Sequence, residues 1–251
     1  MNTTLTTAVI AASLCAGVLL GTWIRRRLPQ AHLTSDTKDA VKLAMGLVAT
    51  MAALLLGLLV SSAKGSYDTV RSEILQMAAK ISFLDRVLSL YGPEAAPMRG
   101  QFRVAVESAA RQMWSDDEDN AASVHQAGDA LYAAIQALSP QDDLQRSLKS
   151  QAASLGVELA ELRALIHAQS LASISGPMLL VVVLWLVIIF VSFSLLAPPN
   201  ATASIAAIIA ALSVTGALFL ILELDRPFSG LIHVSSDPLL NALSRPEHEM
   251  K

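Results

Sequence analysis

The sequence predicts an all-α membrane protein with four transmembrane helices and an extramembrane antiparallel helical bundle inserted between the second and third. Three observations carry that prediction. Hydrophobic residues make up 53% of the 251 residues and charged residues only 16%, where a soluble domain carries about 25% charge. The apolar residues fall in four blocks, two near each end of the chain. Between the two pairs, residues 64–176 are charged and follow a helical period.

Each block is long enough to cross a bilayer, since about 20 apolar residues in helix span a hydrocarbon core of roughly 30 Å with every backbone group paired. The first span covers about residues 4–23 and stops at Arg25-Arg26-Arg27. It holds the only cysteine, Cys15, so no intrachain disulfide or cysteine-based metal cluster can form. Leu14 precedes Cys15 where a lipoprotein needs a small residue. No Lys or Arg stands among the first fourteen residues, so a retained span is expected rather than a cleaved signal. The second span covers 41–63, and no proline interrupts Lys42 to Tyr91, so it is expected to continue into the first domain helix past Gly65. The third covers 177–197, with Pro177 suited to a first helical turn. The fourth covers 203–222. Together the blocks divide the chain into a transmembrane hairpin (1–63), a helical bundle (64–176), a second hairpin (177–222) and a short tail (223–251).

The bundle is predicted from stripes. Val70, Ile74, Met77, Ile81, Leu84, Leu88 and Tyr91 recur at alternating steps of four and three, which keeps one face toward a partner. A second helix fits Glu94 to Trp114, with Phe102, Val106, Ala109 and Met113 on one face. A third fits Ala121 to Leu138. A fourth is expected to start at Ser139 and Pro140, cap and first-turn chemistry, and to carry Leu148, Ala152, Leu155, Leu159, Leu162 and Ile166.

Charge orients the chain. The connection from Arg25 to Lys42 has five basic and two acidic residues, residues 64–176 have ten and fourteen, and the chain from Glu223 onward has three and five. Basic residues close to spans favour the cytoplasmic side. The Arg25-Lys42 connection is therefore expected in the cytoplasm, with the helical domain and both termini on the periplasmic side of a bacterial inner membrane.

Candidate sites are few. In the second span Gly46, Thr50, Ala53, Gly57 and Ser61 share one face, which leads to Lys64. Small faces let helices pack closely. The same face, turned inward in a ring of copies, lines a pore with Lys64 as a basic ring that attracts anions. The fourth span repeats the pattern at Ala206, Ala210, Ser213 and Ala217. At its end Glu223, Asp225 and Arg226 precede Pro227, a boundary or gating motif; Glu223 or Asp225 is a candidate partner for Lys64 or Arg71 on the same side. Asp116, Asp117 and Asp119 are weak candidates for a divalent cation. They match no calcium loop, and a solvated acidic segment before a helix N-terminus accounts for them. The five histidines are scattered. No phosphate loop, zinc-hydrolase motif or nucleophile elbow is present, so neither an enzyme, a cofactor nor a nucleic-acid partner is expected.

The run Leu224-Asp225-Arg226-Pro227-Phe228-Ser229-Gly230, followed by Val234-Ser235-Ser236-Asp237-Pro238, resembles the bestrophin-like family of bacterial membrane proteins. The arginines after the first span and the long second helix resemble it too. That resemblance implies the layout of bestrophins, which are pentameric anion channels with four spans, a helical domain between the second and third, and a pore along the second. The chain departs from that pattern in two respects. Residues 41–63 contain no aromatic side chain, where bestrophin pores carry phenylalanine constrictions. The arginines also favour a periplasmic domain, where bestrophin domains are cytosolic.

The leading expectation is an oligomeric ion channel of the inner membrane, with small inorganic ions, anions first, as its cargo and the bilayer and its own copies as its partners. The alternative is a non-conducting sensor or scaffold whose helical domain binds another protein.

Overall fold

The computed structural model describes residues 3–27, 35–114, 121–170, 176–198 and 200–244. The described residues are helical, with no strand among them: α1 (Thr3–Arg27), α2 (Ser35–Tyr91), a 3-10 turn (Pro93–Ala95), α3 (Ala96–Met113), α4 (Ala121–Ala137), α5 (Asp143–Ser170), α6 (Gly176–Leu196), α7 (Ala201–Leu224) and α8 (Asp237–Ser244). Four of these, α1, α2, α6 and α7, are long and apolar enough to cross a bilayer. α2 runs for 57 residues without a break at Gly65, as expected where no proline removes a backbone donor. At 1.5 Å per residue it is about 85 Å long.

Two compact units divide the chain, the described parts of residues 1–66 and 173–225 in one and those of 67–172 and 226–251 in the other. α2 contributes to both.

In the first unit α1 packs along α6 and α7. Ile10, Leu14 and Val18 meet Val182, Leu186, Phe190, Ala207, Ala211, Leu218 and Ile221 in one core, which Leu59 and Ala63 of α2 join. Two glycines set the closeness of that packing. A Cβ on Gly17 would lie 3.4 Å from the Val187 carbonyl oxygen, and one on Gly21 would lie 2.4 Å from that of Val191 and 2.8 Å from Ser194 Cβ. The first is tight and the second is impossible without moving backbone, so α1 approaches α6 at Gly21 as only a glycine allows. The order of these contacts also shows that α1 and α6 run in the same direction. α7 starts cleanly because Asn200 Oδ1 accepts from the Ala203 amide at 2.9 Å, one of the orphan donors of a helix start.

The second unit buries the predicted stripe of α2. Val70, Ile74, Leu84 and Leu88 are essentially inaccessible, and they share a core with Met98 and Phe102 of α3, Ile135 of α4, and Leu148, Ala152, Leu155 and Ile166 of α5. Each such Leu or Ile stabilises the unit by roughly 1.5–3 kcal/mol. Polar ties reinforce the contacts. Lys80 pairs with Glu158, and Gln169 Nε2 donates to Glu73 Oε1 at 2.7 Å, both joining α2 to α5. Gly92 takes φ 124°, a left-handed backbone that favours glycine, and turns the chain out of α2 into α3.

One expected boundary is displaced. Ser139 and Pro140 do not start the fourth domain helix; α5 begins at Asp143. Asp142 Oδ1 takes the Gln145 amide at 2.6 Å and so caps the helix three residues later. Lys149 Nζ meanwhile donates to the carbonyls of Gln136 and Leu138 at 2.6 and 2.8 Å, closing the C-terminus of α4. Serine and aspartate are comparable caps, and here the one whose neighbours complete the turn is used.

Residues beyond α7, expected as a short tail, carry part of this core. Val234, Leu239 and Leu243 are buried in it. Trp114 stacks edge-on against Phe228 with ring centroids 5.5 Å apart, and its Nε1 donates to the Val234 carbonyl at 2.6 Å.

Candidate functional site

The small-residue face of α2 can be placed by helical angle. At 100° per residue Gly46, Thr50, Ala53, Gly57, Ser61 and Lys64 occupy an arc of about 80°. The span residues that the chain buries, Ala52, Leu59 and Ala63, cluster about 140° away on the same helix. All six candidates are exposed. The stripe from Gly46 to Lys64 is about 27 Å long, close to the thickness of a hydrocarbon core.

Close packing inside the chain therefore does not explain these small residues. A Cβ on Gly46 or Gly57 would meet nothing within 4 Å, the opposite of Gly21. The second small face behaves in the same way. Ala206, Ala210, Ser213 and Ala217 are exposed, while α7 turns Ala207, Ala211, Thr215 and Leu218 inward.

The chemistry of the α2 stripe is sparse. Thr50 donates its hydroxyl proton to the Gly46 carbonyl at 2.8 Å, so what it presents outward is oxygen lone pairs. Gly46, Ala53 and Gly57 present only backbone and methyl surface. Lys64 is the one charged member, one turn beyond Ser61.

The boundary motif splits into two parts. Glu223 is buried at 3% exposure near the end of α7, and Asp225 and Arg226 are half-buried. Pro227 is buried, and its carbonyl accepts from the Val234 amide at 2.8 Å. Gly230 takes φ 96°, so the Pro227-Phe228-Ser229-Gly230 stretch is a turn that delivers Val234 and α8 to the second unit's core. Asp237 then starts α8, its amide donating to Ser235 Oγ at 3.0 Å.

A polar cluster absent from the sequence reading lies in the second unit. Asp85 Oδ1 and Oδ2 accept from Arg99 Nε and Nη2 at 2.8 and 2.7 Å, and from Arg103 Nε and Nη2 at 3.2 and 2.9 Å. Burial pushes the carboxyl up, but the hydrogen bonds and charges of the two guanidiniums outweigh it and hold Asp85 at about 2. Two bidentate arginines on one carboxylate form a structural clasp between α2 and α3. The signal for it in the sequence was a charged residue beside the buried stripe, with two arginines four residues apart in the next helix.

Asp116, Asp117 and Asp119 lie outside the described residues. Among those described, no group of His, Cys, Asp and Glu is placed to hold a metal ion. Two open hollows beside α5 are lined by Asp143, Arg146 and Ser150 and by Lys80, Phe83 and Glu158. At the second, Ser154 Oγ donates to Glu158 Oε1 at 3.3 Å, and Glu158 is also paired with Lys80.

The family model described as the Bestrophin-like domain matches residues 12–239. No curated protein and no solved structure matches the chain significantly.

Proposed function

The chain belongs to the bestrophin-like family, a membrane protein on that ground and by its four apolar helices, and from that premise we propose that it is an oligomeric ion channel. In this reading several copies surround an axis with the Gly46–Lys64 face of α2 inward. Lys64 forms a basic ring at one end of the path, and anions are the favoured cargo. The second unit is an extramembrane, antiparallel helical bundle inserted between the second and third spans. The connection from Arg25 to Lys42 faces the cytoplasm of a bacterial inner membrane, and the bundle faces the periplasm.

One observation carries the reading: a stripe of small residues as long as a bilayer core is turned away from everything the chain packs against. Lipid-facing helix surface has no need of two glycines, a threonine and a serine in register. Gly57 and Gly46 each cost roughly 1 kcal/mol of helix stability against alanine. A wall that must leave room for an ion accounts for that cost. The boundary residues Glu223, Asp225 and Arg226 are assigned to gating, because they stand where α7 hands over to the turn that feeds the second unit.

The test is ion flux through liposomes holding the purified protein, with chloride and potassium gradients applied separately. Gly57→Leu is expected to block flux, and Lys64→Glu to reduce the preference for chloride. Unchanged flux and selectivity in both variants would refute the proposed path. For the sidedness, cysteine placed at Gln30 in a Cys15→Ala background should resist impermeant reagents added outside intact cells; labelling there reverses the orientation.

A further inference from the structure

We propose that the last turn of α1 binds the headgroup of an anionic phospholipid through Arg25, Arg26 and Arg27, with Trp23 setting the depth of the site. The inference does not depend on whether the protein conducts ions.

α1 ends on Arg25, Arg26 and Arg27 and contains no acidic residue along its length. Trp23 is 54% exposed on the same turn, and the Arg27 guanidinium lies over its ring at 5.0 Å. Tryptophan at the end of an apolar span sits at the level of lipid headgroups, so this contact holds a cation at that level. Arg25 is half-buried, and its Nη1 is fully covered yet has no hydrogen-bond partner. A guanidinium carries five N–H donors and no acceptor, so a covered and unsatisfied one marks a place where an acceptor is wanted.

No described residue supplies that acceptor. Among the described residues none of the three arginines is paired with a carboxylate. Lys42, by contrast, is neutralised by Asp39 at 2.9 Å. Because Gly17 is level with Val187 and Gly21 with Val191 and Ser194, the arginines stand beside the end of α6. The described residues that follow it, Ala197, Pro198 and Asn200, carry no charge. The helix end itself offers only about half a negative charge, against three positive ones. Phosphate oxygens match the guanidinium fork and complete its bonding.

A lipid fits better than a free phosphate. Leu19 and Leu20, one turn toward the membrane, are 64% and 48% exposed and give apolar surface to acyl chains below the headgroup. Basic clusters directly beside a span bind anionic lipids in this manner.

The test uses native mass spectrometry of the purified full-length protein, given equal amounts of phosphatidylglycerol and phosphatidylcholine in detergent. Both lipids offer the phosphodiester oxygens, so the net negative charge of phosphatidylglycerol beside the arginines sets the difference, expected at about tenfold better retention. Arg25→Gln should lower that preference several-fold, and Arg25→Lys, which keeps the charge but not the fork, should lower it less. Lys42→Gln should leave it unchanged. Inorganic phosphate at millimolar concentration should not displace the lipid. Equal retention of the two lipids in the wild type overturns the proposal. So does an unchanged preference in Arg25→Gln and Arg26→Gln, or displacement by inorganic phosphate, which marks a soluble-anion site instead.

Discussion

α2 is one unbroken helix whose two halves meet different surroundings. From Val70 to Tyr91 it buries nine hydrophobic residues in the second unit's core, among them Ile74, Leu84 and Leu88. From Ser35 to Ala63 it buries three, Ala52, Leu59 and Ala63, and leaves Leu43, Leu47, Leu54 and Leu58 exposed. Charge separates the halves: residues 43–63 carry none, whereas Arg71, Glu73, Lys80, Asp85 and Arg86 punctuate the packed half. The half that packs follows a stripe of large residues at steps of three and four. The half that does not carries its regularity in small residues, and these face away from the chain's own core. None of the described residues covers that face, which leaves it to lipid, another copy or, in the proposed reading, an ion path.

That difference can be broken or sharpened by substitution. The largest effect is expected at the packed half. Leu84→Ala should destabilise the second unit by about 3 kcal/mol, the lost burial plus a cavity, read as a lower midpoint in thermal unfolding followed through Trp114 fluorescence. Asp85→Asn comes next, at about 2 kcal/mol, since it leaves two partly buried arginines short of their anion. The same clasp sets a pH dependence. The folded carboxyl is held at about 2, below its ordinary 3.8, so its contribution is complete above pH 4 and is lost as pH falls from about 4 toward 2. Asp85→Asn should flatten that acid limb, and an unaltered limb would remove Asp85 from the account. The smallest effect belongs to the other half. Gly57→Ala should change unfolding by no more than about 1 kcal/mol, and toward greater stability, because alanine is the better helix former and a Cβ there meets nothing within 4 Å. A large loss on Gly57→Ala would mean that the face is packed after all.

The four spans and the continuity of α2 were legible because lipid demands unbroken apolar helix and no proline intervened. The stripe of α2 was legible for the same reason of period, and Val70, Ile74, Leu84 and Leu88 are all buried. What the sequence leaves open is which face a uniformly apolar helix turns inward. Gly46 and Gly57 read just like Gly17 and Gly21, yet only Gly17 and Gly21 meet a neighbouring helix. The start of α5 was misplaced because Ser139 and Asp142 offer equivalent caps, and the choice falls to contacts made by Gln145 and Lys149. The Asp85 clasp left only a faint signal, a charge beside the stripe and two arginines four residues apart, because the pairing itself depends on two helices meeting. The packing of Val234, Leu239 and Leu243 was hidden by the shortness of α8, eight residues with too few turns to show a period. Of the candidate site, the residues of the small face were legible, while their orientation away from the core was not.

The most direct test of the proposed path is cysteine accessibility along α2 in a Cys15→Ala background, read as block of ion flux in liposomes by a charged, membrane-impermeant thiol reagent. The account predicts block for Gly46→Cys, Ala53→Cys and Gly57→Cys, and none for Leu47→Cys or Leu54→Cys, which lie outside the small-residue arc. Block that ignores the helical period, or that follows the leucine face, would contradict it.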